Sequence, residues 1–200
     1  MRRGLPPPCA RCAIADASAD AGLSPPERLA IAYAPRRLRP VWTGLLAFDH
    51  RLADAARAGR DPIMIQFRLA WWRDRLGEPA AQWPRGEPLL ALLTAWDGER
   101  AALTALVDGY EAKVVGEDGG HALDQARAAA IVALARLAGV TAGPELTTAA
   151  AAWAEGRTIA RLHLPRALRP LVLLDHFANA TDETGWRVLA VAIRKGWFGR

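Results

Sequence analysis

Gly44 to Arg75 reads GLLAFDHRLADAARAGRDPIMIQFRLAWWRDR, two helical patterns that meet across one short break, and the fold follows from how that pair is read. In the first, Val41, Leu45, Phe48, Leu52 and Ala56 recur at helical spacing, with Asp49, Arg51 and Asp54 punctuating the same helix. In the second, Ile63, Phe67, Ala70 and Trp71 form an apolar stripe beside Arg68, Trp72 and Arg75. Gly59 supplies a left-handed end for the first helix, Asp61-Pro62 the cap and first position of the second, and Gly77 its close. A linker this short folds the two helices back on each other as an antiparallel pair. By its place on the stripe, Trp71 is expected in the core, with Trp72 and Arg75 toward the other side, lining a groove or stacking on a neighbour.

Working outward, Ser24 before Pro25-Pro26-Glu27 has the form of a helix start, with Ser as cap and proline in the first turn. That helix runs to about Ala34, where Pro35 ends it and Arg36, Arg37 and Arg39 make a basic corner. The pattern then predicts helices over 39–58, 62–76, 88–96, 97–115, 121–138, 144–159, 165–177 and 183–197. Trp83 is tucked under the loop from Gly77 to Glu87. No repeat of solenoid length is visible. The expectation is an all-α, single-domain bundle of about eight or nine helices over 24–200, preceded by a flexible tail over 1–23.

Composition supports this. The chain has 200 residues, 52% of them hydrophobic, enough for one core. The apolar residues are mostly Ala and Leu, which favours helix over sheet. A net charge of +5 points to an anionic partner: nucleic acid, a phospholipid surface or a diphosphate. Yet only Lys113 and Lys195 are lysines, and the arginines are spread over every helix, so a solvated surface is the simpler reading and no nucleic acid is expected. Cys9 and Cys12 form a C-x-x-C pair without the second pair that zinc requires, and read as a reduced, exposed arm. His50, His121, His163 and His176 lack metal-ligand spacing. No run approaches the roughly 20 apolar residues of a membrane span, and the first residues lack a secretory core. The expected location is cytoplasmic, peripheral to the inner membrane if membrane-bound at all.

Asp49 and Asp54 are the sharpest chemical candidates, but at i, i+5 they diverge around the helix and suit one magnesium ion poorly. Arg57 is placed to pair with Asp54 or Asp61 instead.

The order PRRLRPVWTGLLAFDHRLADAA, followed by IQFRLAWWRDRL, resembles the squalene/phytoene synthase family. The similarity is good from about Pro26 to Leu76 and weaker beyond. It implies a shortened isoprenoid-synthase-like fold, in which two Asp-rich helices face a central cavity, hold Mg2+ and join prenyl diphosphates. The family's first motif, D-D-x-x-D, falls on Ala53, Asp54 and Arg57, and its second, D-x-x-E-D, on Ala152, Glu155 and Gly156, leaving one acid of each three. A diphosphate carries about three negative charges, and a metal clamp of single carboxylates is too weak to hold it. The family's non-catalytic branch, which includes assembly factors of respiratory complex I, keeps F-x-x-x-L-A and R-L-x-W-W-R-D. Phe48, Leu52, Ala53, Arg68, Leu69, Trp71, Trp72, Arg73 and Asp74 fit that version more closely.

The leading expectation is therefore a degenerate synthase-like domain without prenyl transfer and without a cofactor. It would act by binding a partner protein or a prenyl lipid, with Phe48, Arg51, Arg68, Trp72 and Arg75 as ligand candidates. The alternative is an active Mg2+-dependent prenyltransferase using Asp49, Asp54 and Glu155, of which Asp54 and Glu155 are the metal candidates. A third reading is a peripheral membrane protein meeting anionic lipid through Arg36, Arg37, Arg39, Arg194, Lys195, Trp197 and Phe198.

Overall fold

The computed structural model describes residues 22–116, 118–159 and 164–178. Its α-helices are α1 (Pro25–Ala32), α2 (Arg39–Ala55), α3 (Pro62–Gly77), α4 (Pro88–Leu93), α5 (Arg100–Val115), α6 (His121–Leu137), α7 (Pro144–Ala154) and α8 (Arg169–Ala178). Short 3-10 turns at Arg36–Leu38, Ala80–Gln82, Thr94–Glu99 and Arg166–Leu168 link them, and no strand occurs among the described residues. The all-α bundle read from the sequence is what is observed.

Helix starts follow local chemistry. At α1, Glu27 N–H donates to Ser24 Oγ and Ser24 N–H donates back to Glu27 Oε2 at 2.7 Å, a reciprocal capping box. At α3, Asp61 Oδ1 accepts from the N–H of Ile63 at 2.8 Å and of Met64 at 3.4 Å. Proline occupies the first turn of α1, α2, α3, α4 and α7, where its missing N–H goes unneeded.

Helix α2 is the central element: Val41 to Phe48 is buried without interruption. Fully enclosed Trp42 donates its indole N–H to the Ala167 carbonyl at 3.0 Å, and Trp96 donates to the Val41 carbonyl at 3.0 Å. The closest helix contact is α5 against α6. A Cβ on Gly109 would lie 2.8 Å from Leu123 Cα, so only glycine allows that approach. Helix α7 packs on α6, and α8 returns to pack on α1.

Several sequence expectations are corrected. The buried stripe of α3 is Ile65, Leu69, Trp72 and Leu76, whereas Ile63, Phe67 and Trp71 are exposed. Both stripes have helical spacing; the buried one extends a turn further and meets α5, the main neighbour of α3. Trp71 is thus outside the core and Trp72 inside it, and α3 does not pair chiefly with α2. The two touch where the Phe48 and Trp72 rings meet edge to face, centroids 5.1 Å apart. Helix α2 ends at Ala55 with Ala56 as cap; Gly59 does adopt a left-handed φ of 83°, but in the following turn. The helix expected over 88–96 gives way at Thr94 to a 3-10 segment, and α7 stops at Ala154 rather than Ile159. Leu23, assigned to the tail, is buried. Residues 1–21 of that tail, with Cys9 and Cys12, the helix expected over 183–197 and the C-terminal basic residues lie outside the described residues.

One junction is pH-sensitive. His50 of α2 lies 2.9 Å from Glu27 of α1. The hydrogen bond to Glu27 raises the His50 pKa above its ordinary 6.5, against an opposing effect of burial. Burial pushes Glu27 up, but hydrogen bonds with His50 and Ser24 outweigh it and hold the carboxyl below 4.5. The His50 contribution is therefore complete below pH 6.5 and is lost as pH rises through the raised value; the Glu27 contribution is complete above 4.5 and is lost on acidification. His50→Gln should lower the melting temperature more at pH 5.5 than at pH 8, by an amount equivalent to about 0.5–1 kcal/mol for this partly exposed pair. Equal losses at both pH values would show that the pair does not titrate in this way.

Candidate functional site

An open groove of about 570 Å³ runs between α2 and α3. Arg51, Asp54 and Ala55 line it from α2, Arg60 from the linker, Phe67, Arg68, Trp71 and Trp72 from α3, and Glu87 from the loop before α4. The aromatic wall is built from below. Phe48, fully buried, supports the edge of Trp72, and Trp71 stands edge-on to Trp72 with centroids 4.8 Å apart. Trp71 and Phe67 reach solvent, so the wall continues from the core to the surface.

Charges around the groove are mostly committed. Asp54 accepts from Arg57 at 2.6 Å and from Arg60 at 2.9 Å, the first being the pair expected from the sequence. Arg51 lies 3.8 Å from Glu87. Arg68, exposed and on the groove wall, has no hydrogen bond or ion pair among the described residues.

The sequence-derived candidates separate into groups. Arg51, Asp54, Arg68 and Trp72 line the same groove, with Phe48 underneath. Arg75 does not line it. Its guanidinium pairs with Glu78 at 3.1 Å and its carbonyl accepts the Trp83 indole N–H at 2.6 Å, so it fastens the loop after α3. Asp49 turns to α5 and α6. Arg127 donates to its two oxygens from Nε at 3.1 Å and from a terminal nitrogen at 2.9 Å, and the Tyr110 hydroxyl donates to it at 3.0 Å. Burial, then the Asp49 charge, pushes the Tyr110 hydroxyl far above its ordinary 10.0, so it remains a donor. Glu155, beyond the end of α7, pairs with Arg157, whose hydrogen bond holds the carboxyl below its ordinary value. Asp49, Asp54 and Glu155 are thus each engaged by different arginines. Among the described residues no group of three or more His, Cys, Asp or Glu side chains is placed to hold a metal ion.

Sequence reasoning did not assign Arg60, Phe67, Trp71 or Glu87 to the site. Phe67 and Trp71 do carry a signal, an aromatic pair at i, i+4, but the same spacing marks a core stripe. Arg127 and Tyr110, the partners of Asp49, lie 78 and 61 residues away and carry no local signal.

The groove offers an uncommitted guanidinium beside a continuous aromatic wall. That arrangement suits an anion joined to an apolar body. The chain matches no protein-family model, no curated protein and no solved structure.

Proposed function

We propose that this chain is a shortened squalene/phytoene synthase-like domain that binds without transferring prenyl groups, its ligand an amphiphile with an anionic head, such as a prenyl diphosphate, held in the α2–α3 groove. The observation that carries this reading is Arg68, free of any acidic partner among the described residues, beside Phe67, Trp71 and Trp72 on one wall. Arg68 would take the head and the aromatics the chain. Non-catalytic binding is further supported by the carboxylates: the acids that a synthase would use on metal are occupied by Arg127, Arg57, Arg60 and Arg157.

Calorimetric titration with farnesyl diphosphate, with and without Mg2+, tests the proposal. Binding is expected in both conditions, and Arg68→Gln should weaken it about tenfold or more, the loss of one charge-assisted hydrogen bond. Product analysis after incubation with Mg2+ should find no head-to-head product. Formation of such a product, or unchanged affinity in Arg68→Gln, would overturn it.

A further inference from the structure

Five large hydrophobic side chains are exposed among the described residues, and four of them stand on two turns of one helix. Phe67 is 68% exposed, Ile63 65%, Met64 50% and Trp71 41%, while the opposite side of α3 is sealed into the core through Ile65, Leu69, Trp72 and Leu76. The strip is therefore a second apolar face on a helix whose first face is already satisfied. A face that remains in water gains nothing from four large apolar groups.

Shape and charge narrow what covers it. From Arg57 to Met64 no residue is buried, so the α2–α3 turn and the first turn of α3 form an exposed tip. From Ile63 to Trp71 the strip is about 12 Å long and one helix, about 10 Å, wide. A stable protein interface takes roughly 800 Å² from each partner, far more than such a strip provides. A bilayer requires no matching surface, only apolar side chains that can enter the headgroup region and cations that stay at its level. Both are present. Arg57 and Arg60 share one carboxylate, that of Asp54, and Arg68, one turn from both Met64 and Trp71, has no partner among the described residues. Asp61 is turned onto the N–H groups of Ile63 and Met64, and exposed Asp74, one turn beyond Trp71, ends the strip on its far side.

We propose that the tip formed by Ile63, Met64, Phe67 and Trp71, flanked by Arg60 and Arg68, docks on the surface of an anionic lipid bilayer. The strip and the groove share Phe67 and Trp71, so docking sets the mouth of the groove against the membrane. The docking itself requires no groove ligand.

Co-sedimentation of the full chain with vesicles tests this. Vesicles of about 30 mol% phosphatidylglycerol in phosphatidylcholine should retain the protein, and pure phosphatidylcholine vesicles should retain far less. The double variant Ile63→Ser/Phe67→Ser should lose at least about tenfold in vesicle affinity. Both positions are exposed, so circular dichroism melts should match the parent chain. Val115→Ser, which removes the fifth exposed hydrophobic, should bind vesicles as the parent does. Failure of the parent chain to bind anionic vesicles, or undiminished binding by the double variant, would overturn the proposal. So would a concentration-dependent dimer abolished by that same variant, which would assign the tip to a second copy. Because the vesicles contain no prenyl diphosphate, these outcomes are independent of the farnesyl diphosphate titration.

Discussion

Replacing Asp49 with Ala should lower the stability of the protein by about 2–4 kcal/mol. The acidic residue that stood first among catalytic candidates is, in the structure, the central acceptor of a polar knot between α2, α5 and α6. Its side chain is 16% exposed and that of Arg127 26%, so removing the carboxylate strands a guanidinium that is largely shielded from water. The Tyr110 hydroxyl, which donates to the same carboxylate, loses that acceptor at the same time. Asp54→Ala is the comparison. Its carboxylate is 46% exposed and its two arginines turn readily to solvent, so about 0–1 kcal/mol is expected. Urea denaturation of the two variants separates a structural acid from a surface one. Replacing Asp49 and Arg127 together, as Asp49→Leu/Arg127→Met, should recover much of the loss, because no unpaired charge remains. An Asp49→Ala variant as stable as the parent but unable to bind farnesyl diphosphate would return Asp49 to the ligand site.

Trp42→Ala is expected to be the most damaging single change, about 3–5 kcal/mol. The side chain is fully enclosed and its indole N–H closes a bond to Ala167, 125 residues away. Substitution leaves a cavity under the first turn of α2 and an orphaned carbonyl at the start of the last described helical segment. Trp42→Phe retains most of the volume and isolates the polar part, for which about 1–3 kcal/mol is expected. Thermal melts of the pair should fall in the order parent, Phe, Ala. A Phe variant as unstable as the Ala variant would mean that the hydrogen bond, not the cavity, dominates.

The sequence was most legible where chemistry is local. Ser24 with Glu27, Asp61 with Pro62, and the prolines that open α2, α4 and α7 place helix starts closely, because caps act within one turn. It was least legible on α3, where two apolar stripes share one helix. Periodicity reports that a helix has an apolar face, not which of two faces the neighbour takes, and α5 took the side of Ile65, Leu69, Trp72 and Leu76. The candidate site had the same limit. Arg51, Arg68 and Trp72, which local pattern singles out, line the groove, but the fate of Asp49 depends on Arg127 and Tyr110, which only tertiary packing brings near.

The packing of α1 against α8 has a consequence for how the protein is made. Helix α1 is eight residues long, too short to persist alone, and its capping box settles its start without giving Ala30 and Ile31 anywhere to bury. Helix α8 packs against α1, and its residues leave the ribosome only after nearly all of the described chain has been translated. At ordinary elongation rates that interval is on the order of ten seconds. A nascent chain thus exposes part of its core throughout synthesis, and any product truncated before Arg169 lacks the element that closes it.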